Sequence, residues 1–403
     1  VEQVEITKLL TIYRDGLLND TLPFWTRHST DYDSGGFFTF LQADGTRYST
    51  DKPMWIQGRA AWLFARLFND VEQREEWLEL SRHGIDFLLQ HGFDTDGRMF
   101  YLVTRDGRPL RKRRYLFTET FGAIALAEYA RATGDSAILD RAKQLYRKIL
   151  YLHRTPGALE PKVIPTTRSL RSHAMPMILI ATSQVMRLAD EDTLYEDVIA
   201  DSIHDILTNF VKPELRVLLE TVNSDGTFLD DPDGREVNPG HAIETSWFLM
   251  QESLRNGGQS DLLAKACQIL DWSLEIGWDD KCGGLLYFRD CRGLPSVRYE
   301  HDMKLWWPHT EAIYATLLAY YATRDSRYLE WHRKIHDWAY SHFPDRVHGE
   351  WFGYLHRDGS RSTDLKGNLW KGPFHLPRMQ LNCWKLLEKL SSQRSVCKTT
   401  DKP

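Results

Sequence analysis

Apolar residues along the chain fall into two alternating kinds of helical stretch. Over residues 137–152, Ile138, Ala142, Leu145, Tyr146 and Ile149 recur at the spacing of one helix face, with Asp140, Arg141, Lys143 and Lys148 on the other positions. Residues 74–91, 193–210, 259–276 and 327–343 repeat the pattern and predict helices with one face to water. Their partners, 56–68, 117–129, 174–186, 243–254, 313–321 and a stretch beginning near His375, are apolar nearly all round. A helix without a polar face must be enclosed. An N-terminal helix over roughly 3–28 completes twelve helices in six pairs, about 67 residues per pair (403 divided by 6).

Between the pairs a short Asp/Gly/aromatic phrase recurs. Residues 33–45 read DSGGFFTFLQADG, 94–107 DTDGRMFYLVTRDG and 280–293 DKCGGLLYFRDCRG, with weaker copies at 223–234 and 348–359. Each predicts a small hairpin held by Gly and Asp-Gly turns. Repeats of this size, each a helical pair, must bury their inner faces against neighbours. Six enclosed helices inside six amphipathic ones predict an all-α fold, an (α/α)6 barrel with β-hairpins at one mouth. An open solenoid needs polar faces on its end units, and neither terminal pair has one. No linker divides the chain, so one domain is expected over 1–391, with a tail over 392–403.

Composition narrows the function. Lys plus Arg number 51 against 56 Asp plus Glu, and the one basic run, Arg111–Arg114, is short, so nucleic acid is not the expected partner. No apolar window is long enough to span a membrane, and the first residues lack the pattern of a secretory signal. The five cysteines are nowhere spaced as CxxC, which argues against a disulfide framework or zinc knuckle and fits a reducing cytoplasm. There is no phosphate loop, dinucleotide fingerprint or serine elbow.

If hairpins and inner-helix starts share one mouth, the residues at those starts converge: Trp55, Gln57 and Arg59; Thr118 and Glu119; His173; His241 and Glu244; His309 and Glu311; His375 and Arg378. Four of the 15 histidines recur at separations of 68, 68 and 66 residues. A lone histidine at a helix start commonly satisfies a backbone group, but four at one period point to chemistry. A metal site is a weaker reading, because no HxH or HExxH spacing puts two ligands on one element. A glycosidase using two of Glu119, Glu244 and Glu311 is a further alternative. Imidazoles, however, suit proton transfer at a weakly acidic carbon near neutral pH. Trp306 and Trp307 are adjacent, so only one is expected to face the pocket, where an indole suits a sugar ring.

The phrases GGFFTFLQADG, WIQGRAAW, NPGHAIETSW, LWWPHTEA and WKGPFHLPR resemble the N-acylglucosamine 2-epimerase family over nearly the whole chain. The resemblance implies an (α/α)6 barrel, commonly a homodimer, that interconverts N-acetylglucosamine and N-acetylmannosamine. It implies ATP as an activator that is not consumed; no cofactor is expected for the chemistry, and the lack of paired local ligands predicts no metal. Carried over by motif, His241 in NPGHAIE and His375 in GPFHLPR match the catalytic pair, Arg59 in WIQGR the arginine near O1, and Glu311 in WWPHTE the essential acid. Glu244 and His173 match supporting polar residues, and Trp55, Trp306, Trp307 and Arg378 are assigned with them to substrate binding. Position 309 departs from many members, which carry Gln there, so His309 is assigned to binding. Lys162 and Arg168, in the segment 157–168, are the candidates for contacting ATP. Cellobiose 2-epimerases and aldose–ketose isomerases share these histidines and stand as alternatives. So does a sugar- or protease-binding protein without turnover.

Removing the C2 proton of an open-chain sugar gives an enolate with its charge on O1, which Arg59 and helix N-termini would stabilise. Inversion then requires a proton from the opposite face, hence two groups rather than one.

Overall fold

The computed structural model describes residues 3–113, 115–258 and 260–400. In chain order, α1 (Gln3–Gly16) runs through a π-helical turn (Leu17–Thr21) into α2 (Leu22–Ser29), followed by α3 (Met54–Asp70) and α4 (Glu75–His91). Next come α5 (Phe117–Thr133), α6 (Ser136–Arg154), α7 (Ala174–Ala189), α8 (Leu194–Asp205) and α9 (Pro239–Arg255). The series ends with α10 (Ser260–Gly277), α11 (Trp306–Thr323), α12 (Ser326–His342) and α13 (His375–Thr400). The odd-numbered helices from α3 onward form the inner ring, and α1 with α2 and the even-numbered helices surround them. The predicted first helix is thus two helices joined by a π turn. The expected tail continues α13 to Thr400, and 401–403 lie outside the described residues.

Local chemistry sets these boundaries. Gly134 ends α5 at φ 72°, in the left-handed region that glycine adopts freely. Asp135 then caps α6, accepting the Ala137 and Ile138 N–H groups. The stripe foreseen on α6 is the buried one, with Ala142, Leu145, Tyr146 and Ile149 inward.

Contacts between inner helices close the ring. Asn69 on α3 donates to Glu128 on α5 (2.7 Å), Gln184 on α7 to the Phe248 carbonyl on α9 (3.2 Å), and Gln251 on α9 to Tyr314 on α11 (3.0 Å). Arg66 on α3 donates to Asn382 on α13 (2.7 Å), joining first to last. A solenoid would leave those two ends apart. Among the described residues no helix is long and apolar enough to cross a membrane.

The predicted hairpins are smaller than expected, closed by single bridges or short pairs such as Leu102–Val103 with Pro109–Arg111, and they also pair outward. Single bridges such as Phe93 with Met99 and Trp278 with Leu285 pin each turn. The strand before an inner helix pairs with the next unit: Lys52–Pro53 with Leu102–Val103, Glu236–Val237 with Arg289–Asp290, Lys304–Leu305 with Tyr354–Leu355. The mouth is therefore rimmed by ties between units.

Two latches recur beneath that rim. Lys52, Lys304 and Lys366 are fully buried and ion-pair with Asp31 (2.8 Å), Asp279 (3.1 Å) and Asp345 (2.9 Å). Each also donates to the carbonyl of the glycine four residues after its Asp: Gly35, Gly283 and Gly349. Buried charges are tolerated when paired and hydrogen-bonded in this way. The second latch joins an inner helix to its own turn. Gln57 Oε1 accepts the Phe37 N–H (2.6 Å), Glu119 Oε1 the Met99 N–H (3.1 Å), and His309 Nε2 the Leu285 N–H (2.8 Å).

Candidate active site

The inner helices enclose an axial cavity of about 730 Å³, open at the hairpin mouth and lined there by Trp55, Arg59, His241, Glu244, His375 and Arg378. Trp306 and Trp307 both line it, contrary to the expectation that only one would. Trp306 packs edge-on to Tyr354, and the Trp307 ring lies 5.0 Å from His241 and 5.7 Å from His375 between centres. Trp55 is fixed by its indole N–H, which donates to the Leu369 carbonyl (2.9 Å).

His241 sits in the first turn of α9 because NPGH is a helix-start sequence. Asn238 caps the helix by accepting the His241 N–H (3.1 Å), and Pro239 takes the first helical position. The His241 Nδ1–H donates to Glu220 Oε2 (3.0 Å). Burial disfavours the charged imidazole, but the Glu220 charge and hydrogen bond outweigh it and raise the His241 pKa.

His375 opens α13. Its Nδ1–H donates to Glu311 Oε1 (2.7 Å), whose other oxygen accepts the Trp247 indole N–H (2.9 Å). Burial first, then the positive charges of Arg59 and Arg378, push the His375 pKa well below its ordinary value. Both histidines are thus anchored through Nδ1 by a carboxylate. Among the described residues neither Nε2 has a protein partner, so each presents a bare nitrogen.

Arg378 bridges the carboxylates, with Nη2 at 2.5 Å from Glu244 and 2.7 Å from Glu311. Glu244, Glu311 and His375 offer ligand atoms within 4.8 Å of one another, a spacing a metal ion would accept. The Arg378 guanidinium already supplies the cation there. Arg59 differs: it lies against the rings of Phe121 (4.1 Å), Trp55 (4.3 Å) and Phe374 (4.5 Å), and its buried Nε has no hydrogen-bond partner. Burial, then the Arg378 charge, lowers its pKa to about 9, still cationic at neutral pH. A desolvated, unpaired guanidinium beside two bare imidazoles suits a developing oxyanion.

Several expected site residues stand elsewhere. Glu311 lies behind His375, hydrogen-bonded to its Nδ1, rather than on the cavity wall. His309 is fully buried against α12, stacked on Trp338 at 4.8 Å. Its Nδ1–H donates to the Leu305 carbonyl (2.6 Å) and its Nε2 is the latch acceptor, so both nitrogens are committed and it cannot bind a ligand. His173 precedes α7 behind the wall, with Nε2 bonded to Thr245 (2.9 Å) and Nδ1 3.9 Å from Glu220. Glu119, considered as a carboxylate for glycoside hydrolysis, is held by Arg98 (2.6 Å). Lys162 lies over the Tyr115 ring (3.5 Å), whereas Arg168 pairs with Asp231, so these two are engaged separately. Glu220 was not foreseen. It lies between two short strands, 21 residues before His241, and only the fold brings it under that histidine.

Two carboxylate-anchored histidines and an arginine whose buried Nε has no partner line one cavity of an (α/α)6 barrel, and comparison with known proteins places the chain among the sugar epimerases. The profile of the N-acylglucosamine 2-epimerase (GlcNAc 2-epimerase) family matches residues 36–375, and the chain belongs to that family. It is 35% identical to the N-acylglucosamine 2-epimerase of Bos taurus over 93% of this chain and 90% of the relative. The Homo sapiens enzyme of that name is 32% identical over 93% and 90%. The solved structure of cellobiose 2-epimerase from Bacillus thermoamylovorans shares the fold, with a TM-score of 0.82 at 22% identity over 95% of this chain and all of that one.

Proposed function

We propose that the protein interconverts N-acetylglucosamine and N-acetylmannosamine by inverting C2 of the open-chain sugar. The observation that carries this reading is the matched anchoring of His241 and His375, each with Nδ1–H on a carboxylate and Nε2 bare. Neutral His375 removes the C2 proton onto Nε2, and the electron pair moves through C1 to O1. The Arg59 cation holds that enolate oxygen. His241, kept more protonated by Glu220, returns a proton from Nε2 to the opposite face of C2 as the C1 carbonyl re-forms. In the reverse direction the roles exchange. Glu220 and Glu311 position the imidazoles, while Trp307, touching both, supports the sugar.

The barrel over 1–391 works in this reading as one catalytic domain of a cytoplasmic homodimer. ATP is an activator and not a reactant, with Lys162 as its contact. Arg168 is the weaker candidate because Asp231 already neutralises it. Incubation with N-acetylmannosamine, followed by optical rotation with and without ATP, tests the reading. Rotation should move toward the equilibrium mixture, faster with ATP or a nonhydrolysable analogue. No change under either condition would refute it. Preferential turnover of cellobiose or mannose would move the substrate assignment to the other branches of the superfamily.

A further inference from the structure

One turn at the mouth holds a residue that its backbone disfavours. In the first, fifth and sixth units the turn after the outer helix is built alike, with the N–H of Asp31, Asp279 and Asp345 donating to the carbonyl of Gly36, Gly284 and Glu350 (3.0, 2.9 and 3.0 Å). Those three residues all lie in the left-handed region, at φ 68°, 74° and 58°. Glycine adopts it freely, whereas a side chain there costs backbone energy that the surrounding structure must offset. Of the three units, the sixth carries that cost. Its glutamate is 1% exposed and has two buried partners: Oε2 accepts the Trp25 indole N–H (2.7 Å) and Oε1 the Lys371 ammonium (2.8 Å). Lys371 is equally buried. Among the described residues the first and fifth units have one buried lysine each, the latch residue, so the Glu350–Lys371 pair is an addition to the repeat.

The pair anchors the segment that leads into the site. Residues 366–374 form a strap from the sixth unit to the first: the Lys366 and Gly367 N–H groups donate to the Leu41 carbonyl (2.9 and 3.2 Å), and the Leu369 carbonyl accepts the Trp55 indole N–H. Lys371 fastens the strap internally by donating to the Lys366 carbonyl (2.9 Å). Its stem runs so close to Gly353 that a Cβ there would lie 2.7 Å from Lys371 Cδ. Four residues on, His375 opens α13, and every residue from Lys371 through that histidine is buried. A buried ion pair adds little net stability over apolar residues of the same volume. Glu350 adds backbone strain to that balance, so stability does not account for the pair, whereas a reacting imidazole needs its supporting residues fixed to within about 0.5 Å. We propose that Glu350 and Lys371 are positioning residues for His375, holding the strap where Nε2 meets C2 of the sugar. The inference rests on the epimerase reading above.

Replacing Glu350→Gly together with Lys371→Met tests it. The double variant gives the turn the glycine of the other two units and puts an unbranched apolar stem in place of the ammonium. It should fold, as judged by circular dichroism and Tm, while kcat for N-acetylmannosamine falls about tenfold to a hundredfold and KM stays within about threefold. Glu350→Gln is the milder companion. Its amide nitrogen must face one of the two donors, so kcat should fall by about threefold or more, again with little change in KM. Full kcat in a folded double variant overturns the proposal and leaves the pair a structural one. So does a raised KM at unchanged kcat, which ties the pair to the cavity-lining Trp370 and sugar binding. Failure of both variants to fold overturns it too, because the pair is then part of the architecture. No epimerisation by the unmodified protein would instead refute the reading on which the inference rests.

Discussion

Replacing His309 by Gln and by Ala separates a latch from a ligand. The imidazole accepts the Leu285 N–H and stacks on Trp338 with an interplanar angle of 18°. Alanine strands a buried N–H, at about 1–3 kcal/mol, and loses aromatic contact and volume. The total should be about 3–5 kcal/mol, as for other large-to-small core changes. Unfolding entropy of about 2.1 cal/mol/K per residue gives about 0.8 kcal/mol/K for this chain, so Tm should fall by about 4–6 °C. Glutamine can accept the same N–H as Gln57 does in the first unit, so its loss should be less than half as large, with kcat/KM within about threefold of the original. Burial holds His309 at about 3, below its unfolded value. Its contribution is therefore complete above pH 6.5 and declines as the unfolded chain takes up the proton, by about 2 kcal/mol at pH 5. The glutamine variant escapes that loss, so its stability relative to the original protein should improve by this amount between pH 7.5 and 5 in denaturant titrations. A hundredfold fall in kcat for a folded His309→Gln protein would show that the imidazole takes part in the chemistry.

The same linkage extends to His173, His332 and His336, held by burial at about 4, 3 and 4. With His309 they can remove up to about 8 kcal/mol at pH 5, comparable with a whole domain's stability, so ligand-free protein should unfold in denaturant far more easily there than at pH 7.5; a flat profile contradicts this. Replacing Glu220→Gln should move the limb of the pH–rate profile set by protonated His241 to lower pH, whereas a purely structural role would lower the rate without moving the limb. His241→Asn and His375→Asn should each cost about two to four powers of ten in epimerisation. Near-normal rates in both would make Glu244 and Glu311 the pair to test. Prolonged dialysis against a strong chelator should leave the rate unchanged, and recovery with one divalent ion after a loss would instead place a metal at Glu244, Glu311 and His375.

The periodicity that reveals a fold is less reliable for a site. Helix positions were legible because burial dictates them: 74–91 became Glu75–His91 and 137–152 became Ser136–Arg154. The histidine period was a weaker guide. His173 precedes α7, His241 is third in α9, His309 fourth in α11 and His375 first in α13. One residue turns a helix by about 100°, so equal spacing in sequence became unequal direction in space. Two of the four reached the cavity. Glu220 carried no local signal at all, because the partner that gives it meaning lies across a strand pair and a helix start.

Counting from the latch instead of the histidines gives a truer register. Gln57, Glu119 and His309 face outward to their turns, and the residue two positions on lies about 200° round the helix, toward the axis. Those residues are Arg59, Phe121 and Glu311. From Glu311, steps of 67 residues reach Glu244 and Met177 in one direction and Arg378 in the other. The six equivalent positions are therefore Arg59, Phe121, Met177, Glu244, Glu311 and Arg378, and all but Glu311 line the cavity. Four carry balanced charge on α3, α9, α11 and α13, the helices that also hold both bare imidazoles. The two apolar members sit side by side on α5 and α7. One repeated position thus divides the ring into a charged arc on α3, α9, α11 and α13 and an apolar arc on α5 and α7. Exchanging Met177 for a carboxylate would bury an unpaired charge in the second arc. Stability would suffer there, while the proton-transfer groups opposite kept their partners.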